Sequence, residues 1–216
     1  MKNVLKKGMV VADVGANIGY HTLQIARSVG PEGKVYAFEP DPENYRLLVK
    51  NIRENNFKNI ITVQKAVSEK TSIGRLFLCE EHRGDHRIYR PQGTRRRTIE
   101  VEMVALDDFF SNGKPVDVIK IDVQGAEHLV FSGMRNLMRR RNPPDVVTEF
   151  EPYLLDQGGT SAAELLRLIR GFGFDVFSID GETHRFEPLE DGKLIHQYVQ
   201  GIRYTSLLLK KAITEG

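Results

Sequence analysis

Long apolar runs, paired cysteines and a strong charge of one sign are all missing from this sequence of 216 residues. No segment approaches the roughly 20 apolar residues of a transmembrane helix, and Asp13 interrupts the first apolar stretch before it reaches signal-peptide length. A lone Cys79 cannot form an internal disulfide, which suits a reducing compartment. A net charge of +2 is too weak to indicate a polyanionic partner. We therefore expect a soluble, cytoplasmic protein with no membrane partner.

Internal repeats, low-complexity tracts and linker-like segments are absent from the sequence as well. A chain of this length can hold one sizeable core but is too short for two ordinary domains. Hydrophobic residues make up 40% and charged residues 28% of the chain, which is the balance of a soluble globular protein. These observations predict a single domain over residues 1–216.

The order of apolar runs and amphipathic segments indicates an α/β protein. Strands are predicted over residues 9–14, 34–38, 60–63, 116–123 and 145–150, and helices over residues 18–29, 41–55, 126–141 and 162–170. Residues 75–79 and 98–104 alternate like hairpin strands, so the region of about 69–104 is interpreted as an insertion. The last strands, 174–179 and 202–209, are expected to pair antiparallel at one edge. The predicted fold is a mostly parallel, doubly wound sheet with an antiparallel edge strand and a β-hairpin insertion.

A glycine-containing loop occupies residues 13–19, where the first strand turns into the first helix. Doubly wound sheets bind ligands at such a turn. Gly15 lets the backbone approach a ligand, Asn17 tolerates left-handed geometry, and Gly19 permits close packing as the helix begins. The helix N-terminus should offer amides to a carboxylate. A dinucleotide fingerprint would need glycine at Asn17 and Tyr20, so the loop favours S-adenosylmethionine over NAD.

Two further strand ends are expected to contact the same ligand. Glu39 ends the second strand, where a carboxylate can accept both hydroxyls of an adenosyl ribose. Ala66 and Val67 follow the third strand and would lie beside the adenine.

Three segments, residues 13–20, 38–40 and 119–127, together resemble the FkbM family of methyltransferases, and the resemblance extends from about residue 10 to 209. It implies a Rossmann-like class I methyltransferase fold, S-adenosylmethionine as donor and, in many members, an oxygen acceptor on a small molecule or sugar. One departure is Gln124, where the family pattern usually carries Glu. The residues expected at the cofactor are Asp13, Gly15, Ala16, Asn17, Gly19, Tyr20, Glu39, Pro40, Ala66, Val67 and Asp122.

Asp122 is the first candidate for a catalytic group because it closes the fourth parallel strand, beside the methionine end of the cofactor. Glu149 closes the neighbouring strand, so two carboxylates could face one cleft and share a proton or a cation, although no metal is assigned. A positioned base would take the proton of an acceptor hydroxyl. Asp122 could equally hold only the amino group of the cofactor. His21, two residues after the glycine turn, is the third candidate.

Only eight residues precede the first strand, which is too few for an N-terminal helical cap over the acceptor. The arginine-rich insertion is therefore expected to overhang the site in its place. A second copy of the chain could cover the site instead. Residues 95–97 are three consecutive arginines, which are interpreted as solvated loop surface, with phosphate or carboxylate binding as the alternative. The expected partner is a small-molecule acceptor, with nucleic acid disfavoured. RNA methylation guided by the insertion and a non-catalytic S-adenosylmethionine-binding module are the rival hypotheses.

Overall fold

The computed structural model describes residues 3–93, 95–111, 113–179, 186–188, 190–192 and 204–211. Its strands are β1 Val10–Val14, β2 Lys34–Phe38, β3 Ile60–Val63, β4 Ala66–Val67, β5 Ser72–Phe77, β6 Thr98–Val104, β7 Val118–Ile121, β8 Asp145–Phe150, β9 Phe174–Ile179, β10 Phe186–Pro188 and β11 Thr205–Lys211. Its helices are α1 Tyr20–Val29, α2 Pro42–Glu54, α3 Leu106–Phe109, α4 Glu127–Ser132, α5 Arg135–Met138, α6 Pro152–Gln157 and α7 Ala162–Gly171.

The larger sheet is mostly parallel, as the sequence predicts. Within the described residues its strand order is β10-β9-β11-β8-β7-β1-β2-β3. The five strands from β8 to β3 are mutually parallel, while β11 pairs antiparallel with both β8 and β9. The antiparallel finish is therefore confirmed, with one addition: β10, which the sequence analysis missed, forms the outermost strand. The predicted start of the last strand, Ile202, lies outside the described residues.

Alternating side chains of the parallel strands build a separate core on each face of this sheet. Val11 and Val118 pack with α1 on one face, whereas Ala12 and Ile119 pack with α4, α5 and α7 on the other. Successive side chains of a strand point to opposite faces, and all four of these residues are fully buried. Helices on both faces explain why the parallel strands read as continuous apolar runs.

The predicted helix over residues 126–141 is wrong, because the chain breaks into α4 and α5. The chain at Gly133 passes close to Ser68, the residue after β4. A Cβ on Gly133 would lie 2.1 Å from the carbonyl oxygen of Ser68, so any other residue at this position would collide with it. Asp107 then starts the second helix, since its two carboxylate oxygens each accept a bond of 2.9 Å, from the amides of Asn136 and Leu137. A remote carboxylate thus replaces the usual N-cap residue.

The insertion forms a small sheet of its own, in the order β4-β6-β5. β5 and β6 are the two arms of the predicted hairpin and pair antiparallel from Ser72–Met103 to Phe77–Thr98. The first arm begins and ends earlier than the predicted 75–79. β4 joins β6 in parallel and ties the insertion to the chain that leaves β3.

Two short helices were also missed, α3 before β7 and α6 after β8, since four to six residues are too few to show a helical period. Within the described part of the chain, no helix has both the length and the apolar character needed to cross a bilayer.

Glu127 generates a prediction about stability. It is 3% exposed, and its Oε1 accepts bonds from the amides of Val123 (3.2 Å) and Gly125 (3.3 Å), which fixes the loop after β7. Burial raises the pKa of Glu127 from 4.5 to about 7. A pKa that is raised by folding gives stability that is complete below pH 4.5 and is lost as the pH rises through 7.

We therefore expect Glu127→Gln to be less sensitive to pH than the wild type between pH 4.5 and 8. The glutamine oxygen can still accept both amides, but the side chain no longer ionises. The difference in unfolding free energy between the two proteins, from urea titrations, should change by on the order of 3 kcal/mol across this range. Parallel curves for the two proteins would contradict the assignment.

Candidate active site

A cavity of about 340 Å³ opens at the carboxyl edge of the large sheet, beside the point where the strand order reverses between β1 and β7. This volume is at the lower end of the range for small-molecule sites, and the position is where doubly wound sheets bind ligands. Its walls come from the loops after β1, β2, β3 and β7 and from the insertion. Of the predicted cofactor residues, those that line it are Gly15, Ala16, Asn17, Tyr20, Glu39, Pro40, Ala66, Val67 and Asp122.

Asp13 and Gly19 do not line this cavity. Asp13 is fully buried beneath the loop, where its Oδ2 accepts a 2.6 Å bond from the hydroxyl of Thr22. Gly19 caps α1 with a φ of 99°, and a Cβ there would meet the Leu48 side chain at 2.8 Å. α1 therefore begins two residues later than predicted. Both residues shape the loop rather than reach the cavity.

The loop amides are largely used inside the protein, contrary to the expectation that they are free for a ligand. Those of Gly15 and Ala16 donate to the carbonyl of Phe38 at 3.2 and 2.9 Å. The Asn17 amide donates to Glu39 at 2.8 Å, and that of Ile18 to the side chain of Asn17 at 2.6 Å. Asn17 holds a φ of 50°, as its tolerance of left-handed geometry predicts.

Lys120 is the main site residue that the sequence analysis missed. It is 7% exposed on β7, and its ammonium lies 3.1 Å from Asp13 Oδ1, 3.7 Å from Asp122 Oδ2 and 3.1 Å from the carbonyl oxygen of Gly15. Burial opposes its charge, but Asp13 and Asp122 outweigh this and raise the pKa of Lys120. The signal was a single lysine within the buried strand Val-Ile-Lys-Ile, since buried lysines require partners.

Glu39 lies at the end of β2 with 5% of its surface exposed. Its two oxygens accept the amides of Asn17 (2.8 Å) and Asp41 (3.0 Å), so the carboxylate joins the first loop to the start of α2. Burial raises the pKa of Glu39 to about 7 despite these bonds. Asp41 is the N-cap of α2 and accepts the amide of Asn44 at 2.9 Å.

Asp122 and Glu149 are brought together by the side chain of Gln124. Its amide nitrogen donates to Asp122 Oδ1 at 2.8 Å and to Glu149 Oε2 at 3.1 Å. Burial and the charge of Asp122 raise the pKa of Glu149 to about 8, so at neutral pH Glu149 holds a proton. The two carboxyl groups are neighbours as predicted, but Asp122 lines the cavity described above whereas Glu149 does not.

The backbone at Gln124 is held in a left-handed conformation with a φ of 55°. Tyr89 of the insertion donates its hydroxyl to the Gln124 carbonyl at 2.8 Å, and Arg87 donates to the same hydroxyl at 3.2 Å. Gly125 has a φ of 97°, and a Cβ there would meet Tyr89 at 2.6 Å and the carbonyl of Leu154 at 2.3 Å. The insertion therefore holds the backbone of Gln124, the residue whose side-chain amide joins the two carboxyl groups.

The insertion covers the cavity, as the sequence analysis expects. The carbonyl of Arg83 accepts a 3.1 Å bond from the side chain of Asn44, and the guanidinium of Arg83 pairs with Glu43 at 2.6 Å. Arg96 is mostly buried and binds Asp85, which corrects the interpretation of all three consecutive arginines as solvated surface. Arg95 and Arg97, the flanking arginines, are exposed.

His21 lies in the first turn of α1 at the cavity wall and is exposed on its outer side. Burial of the rest of the ring, followed by the charge of Lys120, lowers the pKa of His21. Its ring packs edge-to-face with Tyr20 at 5.1 Å. A neutral imidazole can accept a proton, but no contact joins His21 to Asp122 or Glu149 in the structure.

The described residues fit an adenosyl ligand. A buried carboxyl group at the second strand end suits a ribose diol, and the cavity is lined by more apolar than polar surface, as an adenine and a sulfonium chain require. The structure also shows why glycine is required at position 15. A Cβ there would lie 1.9 Å from the Asp122 carbonyl oxygen and would push apart the loops after β1 and β7 that line the cavity. Within the described residues, no group of three metal-ligating side chains is present.

Several known proteins resemble this chain in sequence or in fold. The profile of the methyltransferase FkbM domain matches residues 13–176. "Methyltransferase sdnD" of Sordaria araneosa is 26% identical over 68% of this chain and 72% of its own length, and "Methyltransferase 1" of Beauveria bassiana is 25% identical over 57% of each chain. The chain thus spans little more than half of the second relative.

A solved structure agrees with these matches. The methyltransferase FkbM from Methylobacillus flagellatus KT superposes with a TM-score of 0.57 and 15% identity, over 95% of this chain and 44% of that one. This likeness supports the fold alone. The family profile covers most of the chain, including the loop after β1, Glu39 and the Asp122–Glu149 pair. The chain therefore belongs to the FkbM family of S-adenosylmethionine-dependent methyltransferases.

Proposed function

We propose that this methyltransferase transfers its methyl group to a hydroxyl oxygen of a small-molecule acceptor. The observation that carries the proposal is the Asp122–Gln124–Glu149 cluster. Hydroxyl groups are weak nucleophiles until a base removes their proton, and a base works best when its pKa is near the working pH. Glu149, with a pKa of about 8, meets this condition beside the cavity.

The cofactor would be held by the residues that line the cavity. In the proposed arrangement Glu39 accepts the ribose hydroxyls, the loop after β1 and the first turn of α1 bind the methionine end, and Ala66 and Val67 border the adenine. When bound, S-adenosylmethionine supplies an electrophilic methyl group and leaves as S-adenosylhomocysteine. Positioning of two reactants in this way contributes up to about 7 to 11 kcal/mol to catalysis.

The protein's own residues then perform the proton transfer. In this proposal the acceptor binds next to the half-buried Glu149, beyond the cavity that holds the cofactor, and ionised Glu149 takes the proton of its hydroxyl as the oxygen–carbon bond forms. Gln124 holds this carboxylate next to Asp122, and the ammonium of Lys120, 3.7 Å from Asp122, reduces the repulsion between the two acids. The result is a carboxylate pair that loses its last proton near pH 8.

RNA methylation has less support from the structure. Three arginines of the insertion, Arg83, Arg87 and Arg96, pair with acidic groups of the protein rather than project freely. Exposed phosphate-binding arginines would give the steep salt dependence that typifies RNA binding.

An acceptor screen tests the proposal. We expect methyl transfer from isotopically labelled S-adenosylmethionine to members of a panel of sugars, aliphatic alcohols and phenols, detected by mass spectrometry. The matched control is a panel in which each hydroxyl is replaced by an amine, together with a ribosomal RNA transcript. Label that enters only the amines or the RNA would reject oxygen methylation.

Glu39 provides a second test, of cofactor binding. We expect Glu39→Ala to bind S-adenosylhomocysteine roughly 10- to 100-fold more weakly by calorimetry, because hydrogen bonds to a charged group contribute about 1.5 to 3 kcal/mol. Glu54→Ala, at the exposed end of the following helix α2, should bind like the wild type. An unchanged affinity in folded Glu39→Ala protein would remove Glu39 from the site.

Glu149 provides a third test, with an acceptor from the screen. We expect kcat of the wild type to rise with pH and to level off above about pH 8, as Glu149 ionises. Glu149→Gln should lower kcat by about 10²- to 10⁴-fold and abolish this rise. Asp145→Asn, at the other end of the same strand β8, is the control and should keep the wild-type profile. A Glu149→Gln enzyme with the wild-type rate and pH profile would refute the role.

A further inference from the structure

The stretch His86–Tyr89 of the insertion runs alongside the end of β5. Phe77 and Arg87 exchange both backbone hydrogen bonds, at 2.7 and 3.1 Å, which gives this stretch the alternating side-chain directions of a strand. His86 and Ile88 line the cavity, whereas Arg87 and Tyr89 point away from it and contact Asp85 and the Gln124 carbonyl. The insertion therefore places one histidine and one apolar residue on the wall of the cavity.

The position of His86 along the sheet edge indicates which part of the ligand it meets. Along the carboxyl edge of the sheet, Asp122 follows β7, Gly15 follows the neighbouring β1, and Glu39 follows β2. The small sheet of the insertion comes next, after β3. A ligand with its reacting end at Asp122 and its ribose at Glu39 must extend its remaining ring system toward the small sheet. There, Ala66, Leu76 and Ile88 pack in one apolar cluster.

One hydrogen bond of His86 determines which of its two ring nitrogens carries the proton. Nδ1 accepts the backbone amide of Cys79 at 3.0 Å, so in the neutral imidazole the proton is on Nε2. Burial lowers the pKa of His86, with Arg83 and Arg96 acting in the same direction and Asp41 and Asp85 opposing it, so the ring is neutral at pH 7.

Nε2 then presents a donor with no acceptor among the described residues. The nearest carboxylate oxygen, Asp41 Oδ2, lies 3.8 Å away and already accepts the amide of Asn44 at 2.9 Å. The His86 side chain is 10% exposed and lines the cavity, and Nε2 is not among the fully buried polar atoms that lack a partner, so this donor is open to the cavity. A mostly buried donor without a partner at a cavity wall is suited to an acceptor on the ligand.

We propose that His86 is a specificity-determining residue that donates its Nε2 proton to an unprotonated ring nitrogen of the cofactor's adenine, beside the apolar side chains of Leu76 and Ile88. The proposal rests on the S-adenosylmethionine site described above. In this proposal the insertion recognises the adenine of the cofactor, while the strand ends of the large sheet bind its ribose and its methionine chain.

The test uses S-adenosylhomocysteine and its 1-deaza, 3-deaza and 7-deaza analogues, each of which replaces one ring nitrogen by a carbon that cannot accept a hydrogen bond. We expect the wild type to bind one of these analogues about tenfold more weakly than the parent, by calorimetry. His86→Leu should bind the parent about tenfold more weakly and no longer discriminate that analogue. His86→Gln, whose amide can replace the Nε2 donor, should recover part of the discrimination.

Further controls separate the possible failures. Arg95→Leu, at an exposed position of the same insertion, should bind all four ligands like the wild type. ¹⁵N chemical shifts of the His86 ring in the ligand-free protein should show a neutral ring protonated on Nε2, and protonation on Nδ1 alone would contradict the proposal. Equal affinity of the wild type for all four ligands would overturn it, whereas binding of none would overturn the cofactor assignment itself.

Discussion

The buried ammonium of Lys120 is the interaction on which the geometry of the site depends. A charge that is removed from water is tolerated only with opposite charges and hydrogen bonds around it, and here they come from the end of β1, the loop after β1 and the end of β7. The ammonium therefore fixes the spacing of the two strand ends between which the sheet order reverses. Loss of Asp13, the fully buried partner, would leave the ammonium with only the more distant and more exposed Asp122, and breaking a buried pair in this way typically costs about 3 to 5 kcal/mol.

From this centre the acidic groups of the site follow in order. Lys120 contacts Asp122, Gln124 joins Asp122 to Glu149, and Tyr89 of the insertion holds the backbone of Gln124. One segment of the insertion thus contacts both halves of the site, with His86 toward the cofactor cavity and Tyr89 toward the carboxyl pair. Two arginines of the insertion, Arg87 and Arg96, hold this segment, since they share Asp85.

The parallel strands and the place of the site could be predicted from the sequence, because both depend on local patterns. Strands that are buried on both faces appear in the sequence as apolar runs. The observed β2, β3 and β8 have the predicted bounds. The break between α4 and α5 could not be predicted, since both of its causes are distant in the chain: the Ser68 carbonyl that approaches Gly133, and the Asp107 carboxylate that caps α5. The role of Lys120 and the internal use of the loop amides were missed for the same reason: their partners are distant in sequence. The single-domain interpretation stays a prediction.

The energetics of the site distinguish it from the rest of the protein. Glu39, Glu127 and Glu149 all have a raised pKa, with burial as the first cause, and all three lie at the carboxyl edge of the large sheet or in the loops that follow it. Each of them reduces stability when ionised, because desolvation opposes the charge. A fold selected for stability alone would place such groups in solvent, as it does Glu54 and Glu102. Groups with a perturbed pKa cluster at functional sites more often than elsewhere, and here they cluster at one edge of the sheet.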